Sequence, residues 1–177
     1  MQSQPLKFVA RLGAWLVQRN VLLASGLGVV ACMFGFSWLK TQLGAPMLDE
    51  LQGYDQLALR EHLLLYGETG RQLHARFTLS LDMVFPFIYG AFFGGLMTLM
   101  GPRNWAPLSL ALMVAVMGLD VAENIQLVGL LYGFPNLSEA QIALASQTTQ
   151  AKFLAIQGLL LWLVGLTLWR IYKRLRA

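Results

Sequence analysis

Apolar residues along this chain gather into four long runs: Val21 to Leu39, Leu79 to Met100, Trp105 to Tyr132 and Ala151 to Ile171. A helix needs about 20 such residues to cross roughly 30 Å of hydrocarbon, so each run is long enough to span a membrane. The third is the longest and is expected to tilt or to rise above the surface. Trp15, Trp38, Trp105, Tyr132, Trp169 and Tyr172 fall near the ends of the runs, where interfacial aromatics belong. Pro102 and Pro107 bracket a very short connection and make the second and third spans an antiparallel hairpin. The pattern predicts an all-α fold: one membrane domain over residues 1–177, built as an integral four-helix bundle. No internal repeat, low-complexity tract or second domain interrupts it.

Two weaker patterns add elements outside the spans. In the segment 40–78, Asp55 can cap a short helix with Leu59, Leu63 and Tyr66 on one stripe, stopped by Gly67. Thr69-Gly70-Arg71-Gln72 then fits a capping box, which starts the second span's helix near Gly70. Residues 6–18 set Lys7, Arg11 and Gln18 on one face and Val9, Leu12 and Leu16 on another, the pattern of a helix lying in a membrane interface. The small-residue spacings Gly90-x-x-x-Gly94 and Gly129-x-x-x-Gly133 predict close helix packing.

Composition agrees. Hydrophobic residues make up 56% of the 177 and charged residues 12%, where a soluble domain carries about 25% charged. The net charge of +4 is concentrated near the chain ends, with Lys7, Arg11 and Arg19 at one and Arg170, Lys173, Arg174 and Arg176 at the other. A nucleic-acid binder would attach such charges to a soluble core; here they flank apolar spans, where they set topology. The N-terminal segment, the Gly101–Asn104 turn and the C-terminal tail carry Lys or Arg; the connection 133–150 has none, and 40–78 mixes both signs. The expectation is a multi-pass protein of the bacterial inner membrane with both termini cytoplasmic and the helix in 40–78 extracytoplasmic. The single cysteine, Cys32, excludes an internal disulfide. It sits in Val29-Val30-Ala31-Cys32, which looks like a lipoprotein cleavage box. The apolar run continues to Leu39, however, so the expectation is an uncleaved helix with Cys32 as an apolar side chain.

Against this apolar background, five residues are out of place. Asp120, Glu123 and Asn124 share one helix face at spacings of three and four. Asp82 and Lys152, on the second and fourth spans, lie at comparable depth in the expected outer half, while the inner half carries no ionisable group. Pro86 has no N–H for the carbonyl of Asp82, so residue 82 offers a carboxylate and a free backbone carbonyl at an expected kink. Tyr89, seven residues on, and Arg71, eleven residues before, fall on the same face of a continuous helix. An ionised group facing lipid costs several kcal/mol, so these groups are expected to face inward together. Three carboxylates against Lys152 then leave a deficit that a proton, a cation or a cationic ligand would fill.

Three readings follow. In the first, a lipid-like or small-molecule ligand binds at Asp82, Tyr89, Asp120, Glu123, Asn124, Lys152 and Arg71, with Asp82, Asp120 and Glu123 the catalytic candidates if the site is an enzyme's. An isoprenoid or lipid is favoured because the site opens toward lipid and Arg71 could meet a phosphate. In the second, the cluster is a proton or cation site of a small transporter, which would also need a path through the inner half. In the third, it is a polar clamp between helices. His62 and His74 are the only histidines, and neither a metal-ligand spacing nor a cofactor motif is present. Membrane lipid is the expected partner and nucleic acid is not; the oligomeric state stays open.

Two resemblances bear on this. Asp120-Val121-Ala122-Glu123-Asn124-Ile125 is slightly similar to the D-L-E-N segment of the membrane-associated eicosanoid and glutathione enzymes, also small four-span proteins. There the segment lies on the second span after an Arg and a His; here it lies on the third and lacks them. The chain more closely resembles a group of uncharacterised bacterial four-span proteins. Its pattern runs through GETGR at 67–71, LDMVFPFIYG at 81–90, DVAEN at 120–124 and AKFL at 151–154. That resemblance covers most of the chain after residue 50 and implies the same fold and the same polar residues, but no chemistry.

Overall fold

The computed structural model describes residues 4–176, and within them the chain is helical with no strand. Helix α1 spans Gln4–Leu16, α2 Arg19–Leu43, α3 Gln56–Phe77, α4 Met83–Met100, α5 Ala106–Gly133 and α6 Glu139–Leu175. A single π-helical turn, Thr78–Asp82, joins α3 to α4, so helix runs from Gln56 to Met100. Four helical stretches are long and apolar enough to cross a membrane, and this is a membrane protein.

The helices exceed the apolar runs, and local chemistry explains where they begin. Asp55 caps α3 by accepting from Ala58 N at 2.8 Å, and Leu59, Leu63 and Tyr66 form its buried stripe, as expected. Gly67 breaks the helix with φ of +62°, a conformation open to glycine. The helix resumes at once, and Gln72 donates to Glu68 at 3.2 Å instead of closing a capping box with Thr69. α6 starts twelve residues before Ala151, in what reads as a loop. Ser138 and Gln141 cap it reciprocally: Gln141 N donates to Ser138 Oγ at 3.3 Å, and Ser138 N donates to Gln141 Oε1 at 3.0 Å. That capping box, Ser-Glu-Ala-Gln, is present in the sequence and marks the true start.

The chain divides into two compact units. One comprises residues 1–30, 87–117 and 155–177. Glycines and tryptophans dominate its packing. A Cβ on Gly95 would meet the carbonyl oxygen of Leu16 at 2.6 Å, so glycine is required where α4 passes α1. Gly90 gives the same access to Met117. Trp105 packs against Trp162 and Trp169 at centroid distances of 5.4 and 6.2 Å, and Trp162 Nε1 donates to Ser109 at 3.0 Å. Arg170 donates to the carbonyl of Leu99.

The other unit comprises residues 31–86 and 118–154. Cys32 is buried in the uninterrupted helix α2. Phe36 packs on Phe77 and Phe85 at 5.7 and 5.0 Å. The segment between α2 and α3 folds inward around a 3₁₀ turn, Leu48–Glu50. Lys40 pairs with Glu50, and Tyr66 donates its hydroxyl to the Pro46 carbonyl at 2.6 Å. Tyr54 N donates to Ser146 Oγ on α6 at 2.9 Å. Gly129, expected to serve helix contact, instead faces open space.

Candidate functional site

The second unit holds a buried polar cluster. Asp82, Asp120, Glu123, Asn124 and Lys152 are each between 0 and 6% exposed. α5 supplies Asp120, Glu123 and Asn124 from one face, α6 supplies Lys152, and the π-turn supplies Asp82. Lys152 Nζ pairs with Glu123, lies 3.4 Å from Asp120 Oδ1, and reaches Asp49 Oδ2 at 4.0 Å. Asp82 lies within electrostatic reach of Asp49, Asp120, Glu123 and Lys152. The carbonyl that Pro86 leaves without its helical donor accepts instead from Asn124 Nδ2, at 3.0 Å. One proline thus determines what the amide on a neighbouring helix does.

That bond also orients the amide. A carbonyl can only accept, so Asn124 must turn its nitrogen to Asp82 and its oxygen away. Asn124 is completely buried, and its Oδ1 has no hydrogen-bond partner among the described residues. Thr78 Oγ1, four residues before Asp82 and also fully buried, is likewise without one. Buried acceptors in this state are rare and call for a donor.

No protein-family model matches the chain, and no curated protein and no solved structure matches it.

The cluster contains residues that periodicity does not reveal. Asp49, read only as a charge in the connection 40–78, is brought in by the 3₁₀ turn. Burial raises its carboxyl above the usual range, and Lys152 opposes that shift. Tyr54 is buried, and loss of solvent pushes its phenol up to about 12. Its hydroxyl and the Thr149 hydroxyl are buried without a hydrogen-bond partner among the described residues. Ser146, Thr149 and Lys152 follow one another at three-residue spacing down one face of α6. The spacing from Lys152 could have flagged Thr149; nothing local could have flagged Asp49.

Arg71 has partners that its spacing did not suggest. Arg71 donates from Nη1 to the Leu63 carbonyl at 3.0 Å and lies 4.7 Å over the Phe134 ring. It reaches back across the helix break at Gly67. The eleven-residue register from Arg71 to Asp82 assumed uninterrupted α-helix, and the five-residue π-turn changes that register. Tyr89 is buried. The second unit also holds a vestibule of about 520 Å³, lined by Tyr54, Asp55, Gln56, Glu139, Ser146 and Gln150 among others.

Proposed function

We propose that this is a multi-pass inner-membrane protein whose buried acidic cluster binds a small molecule or a lipid-like ligand from the outer leaflet. The observation that carries the reading is the interior of the second unit. Asp49, Asp82, Asp120 and Glu123 surround a single ammonium, beside an Asn124 oxygen without a partner. A site that only glued helices would satisfy its own acceptors, because unpaired buried polar groups cost stability. Asp82, Asp120 and Glu123 remain the residues to test for chemistry. The Lys and Arg distribution supports cytoplasmic termini and an extracytoplasmic 40–78 segment. A reporter fused after Asn136 should then read outside and one at the C-terminus inside; an outside reading at the C-terminus defeats this topology.

A clamp is the second reading, favoured by the Lys152–Glu123 pair and the Asn124–Asp82 bond. Asp120→Asn and Glu123→Gln separate the two. A clamp tolerates these isosteric changes without other consequence, since they remove a buried charge and keep hydrogen bonding. A binding site keeps its thermal stability in detergent but loses a specific molecule that co-purifies with the wild type, read by mass spectrometry. Identical co-purified material in wild type and both variants would leave the clamp standing.

A further inference from the structure

The acidic cluster limits what its ligand can be, and the limits converge on one functional group. We infer, resting on the binding reading above, that the ligand presents a primary ammonium group to the buried oxygens around Asn124, Asp49 and Glu123, and reaches them through the vestibule beside Tyr54.

Four carboxylates face one lysine, so an anionic ligand is repelled and a cation is drawn in. Arg71, the residue that would greet a phosphate, is occupied at the Leu63 carbonyl and the Phe134 ring. The unpartnered Asn124 Oδ1 is a pure acceptor, and the Thr78 hydroxyl, also unpartnered, can accept or donate. Asn124 Oδ1 requires a hydrogen on the ligand. A quaternary ammonium has none to give, whereas a primary ammonium carries three N–H donors, as Lys152 already demonstrates on Asp120 and Glu123. A metal ion is disfavoured, because among the described residues no three His, Cys, Asp or Glu side chains are grouped to hold one.

The approach has the same character. The vestibule's charged wall residues are Asp55 and Glu139, both acidic, and Gln56, Gln147 and Gln150 add amides. Tyr54 and Ser146, both in its wall, are joined by the 2.9 Å hydrogen bond from Tyr54 N to Ser146 Oγ. From Ser146, Thr149 and then Lys152 follow down one face of α6, and Lys152 pairs with Glu123; the Tyr54 and Thr149 hydroxyls are buried without a hydrogen-bond partner among the described residues. An amine entering here meets acceptors at each step. The same group is offered by a free amine and by the headgroup of phosphatidylethanolamine.

The test uses the full chain in detergent, with thermal stability read at constant ionic strength in ethylammonium, tetramethylammonium or sodium chloride, or with ethanol as the neutral analogue. Ethylammonium at several times its dissociation constant should raise Tm by about 2–4 °C. The other three should not, and Asp49→Asn and Glu123→Gln should abolish the rise. Nanodiscs of phosphatidylcholine, with and without phosphatidylethanolamine, separate the sources: added stability in the mixed discs assigns the headgroup, and a response to ethylammonium alone assigns a free amine. An equal response to tetramethylammonium or sodium overturns the inference. So does no response to ethylammonium or phosphatidylethanolamine while Asp120→Asn and Glu123→Gln still strip a neutral or anionic molecule; the site would then stand with a different ligand. If those variants strip nothing as well, the binding reading itself fails.

Discussion

The two units are built from segments of the same apolar helices, yet their interiors follow different rules. All nine carboxylates of the chain lie in residues 31–86 and 118–154, against five Lys and Arg; the other unit has eight Lys and Arg and no carboxylate. In the cationic unit, glycines admit backbones and methionine, and tryptophans stack. Its crevice at Leu112, Val116, Gly158 and Trp162 is almost wholly apolar. In the acidic unit, helices meet through Lys152 and Asn124, and a 3₁₀ turn is drawn in to complete a polar cluster. Small residues let helices pack closely without polar contacts. Buried charge is costly to assemble, and it is concentrated in one unit.

The sharpest way to break this contrast is Lys152→Met. It leaves Asp120 and Glu123 without their buried counter-charge and should cost about 3–5 kcal/mol, read by denaturation of the purified protein. A loss under 1 kcal/mol would mean that the carboxylates carry no charge for Lys152 to balance. The matching test in the cationic unit is Gly95→Val, where the added side chain must displace the Leu16 carbonyl. Overpacking of this kind costs about 1–3 kcal/mol, and it should leave ligand retention untouched if the units have separate tasks.

The smallest expected effect sharpens the comparison through pH. Asp49 holds its proton more tightly in the folded protein than at its ordinary value of 3.8. Its contribution is therefore fully present below the ordinary value and is lost as pH rises through the raised one. Wild type should lose stability relative to Asp49→Asn as pH climbs above about 4. A wild-type advantage that grows over the same range would show that Lys152, not burial, controls this carboxyl.

Much of this was legible along the chain because it is local. The Asp55 cap, the stop at Gly67 and the carbonyl freed by Pro86 each depend on residues within one turn. The shared face of Asp120, Glu123 and Asn124 follows from helical spacing alone. Asp49 and Tyr54 were not legible, because contacts distant in sequence set their path; Tyr54 meets Ser146 across 92 positions. The partners of Arg71 were not legible for a different reason. Counting in α-helical turns cannot anticipate a π-turn, which changes the register of everything before it relative to everything after.

Pro86 and Asn124 also have a history to share. With any other residue at 86, an N–H returns to the ladder and competes for the Asp82 carbonyl, and the buried amide of Asn124 loses its one fixed partner. With Pro86 in place, an apolar residue at 124 strands that carbonyl instead. Each substitution alone is harmful, and together they cancel much of the harm. The pair is thus a two-step barrier to drift, in which descendants of this sequence should keep both residues or have lost both.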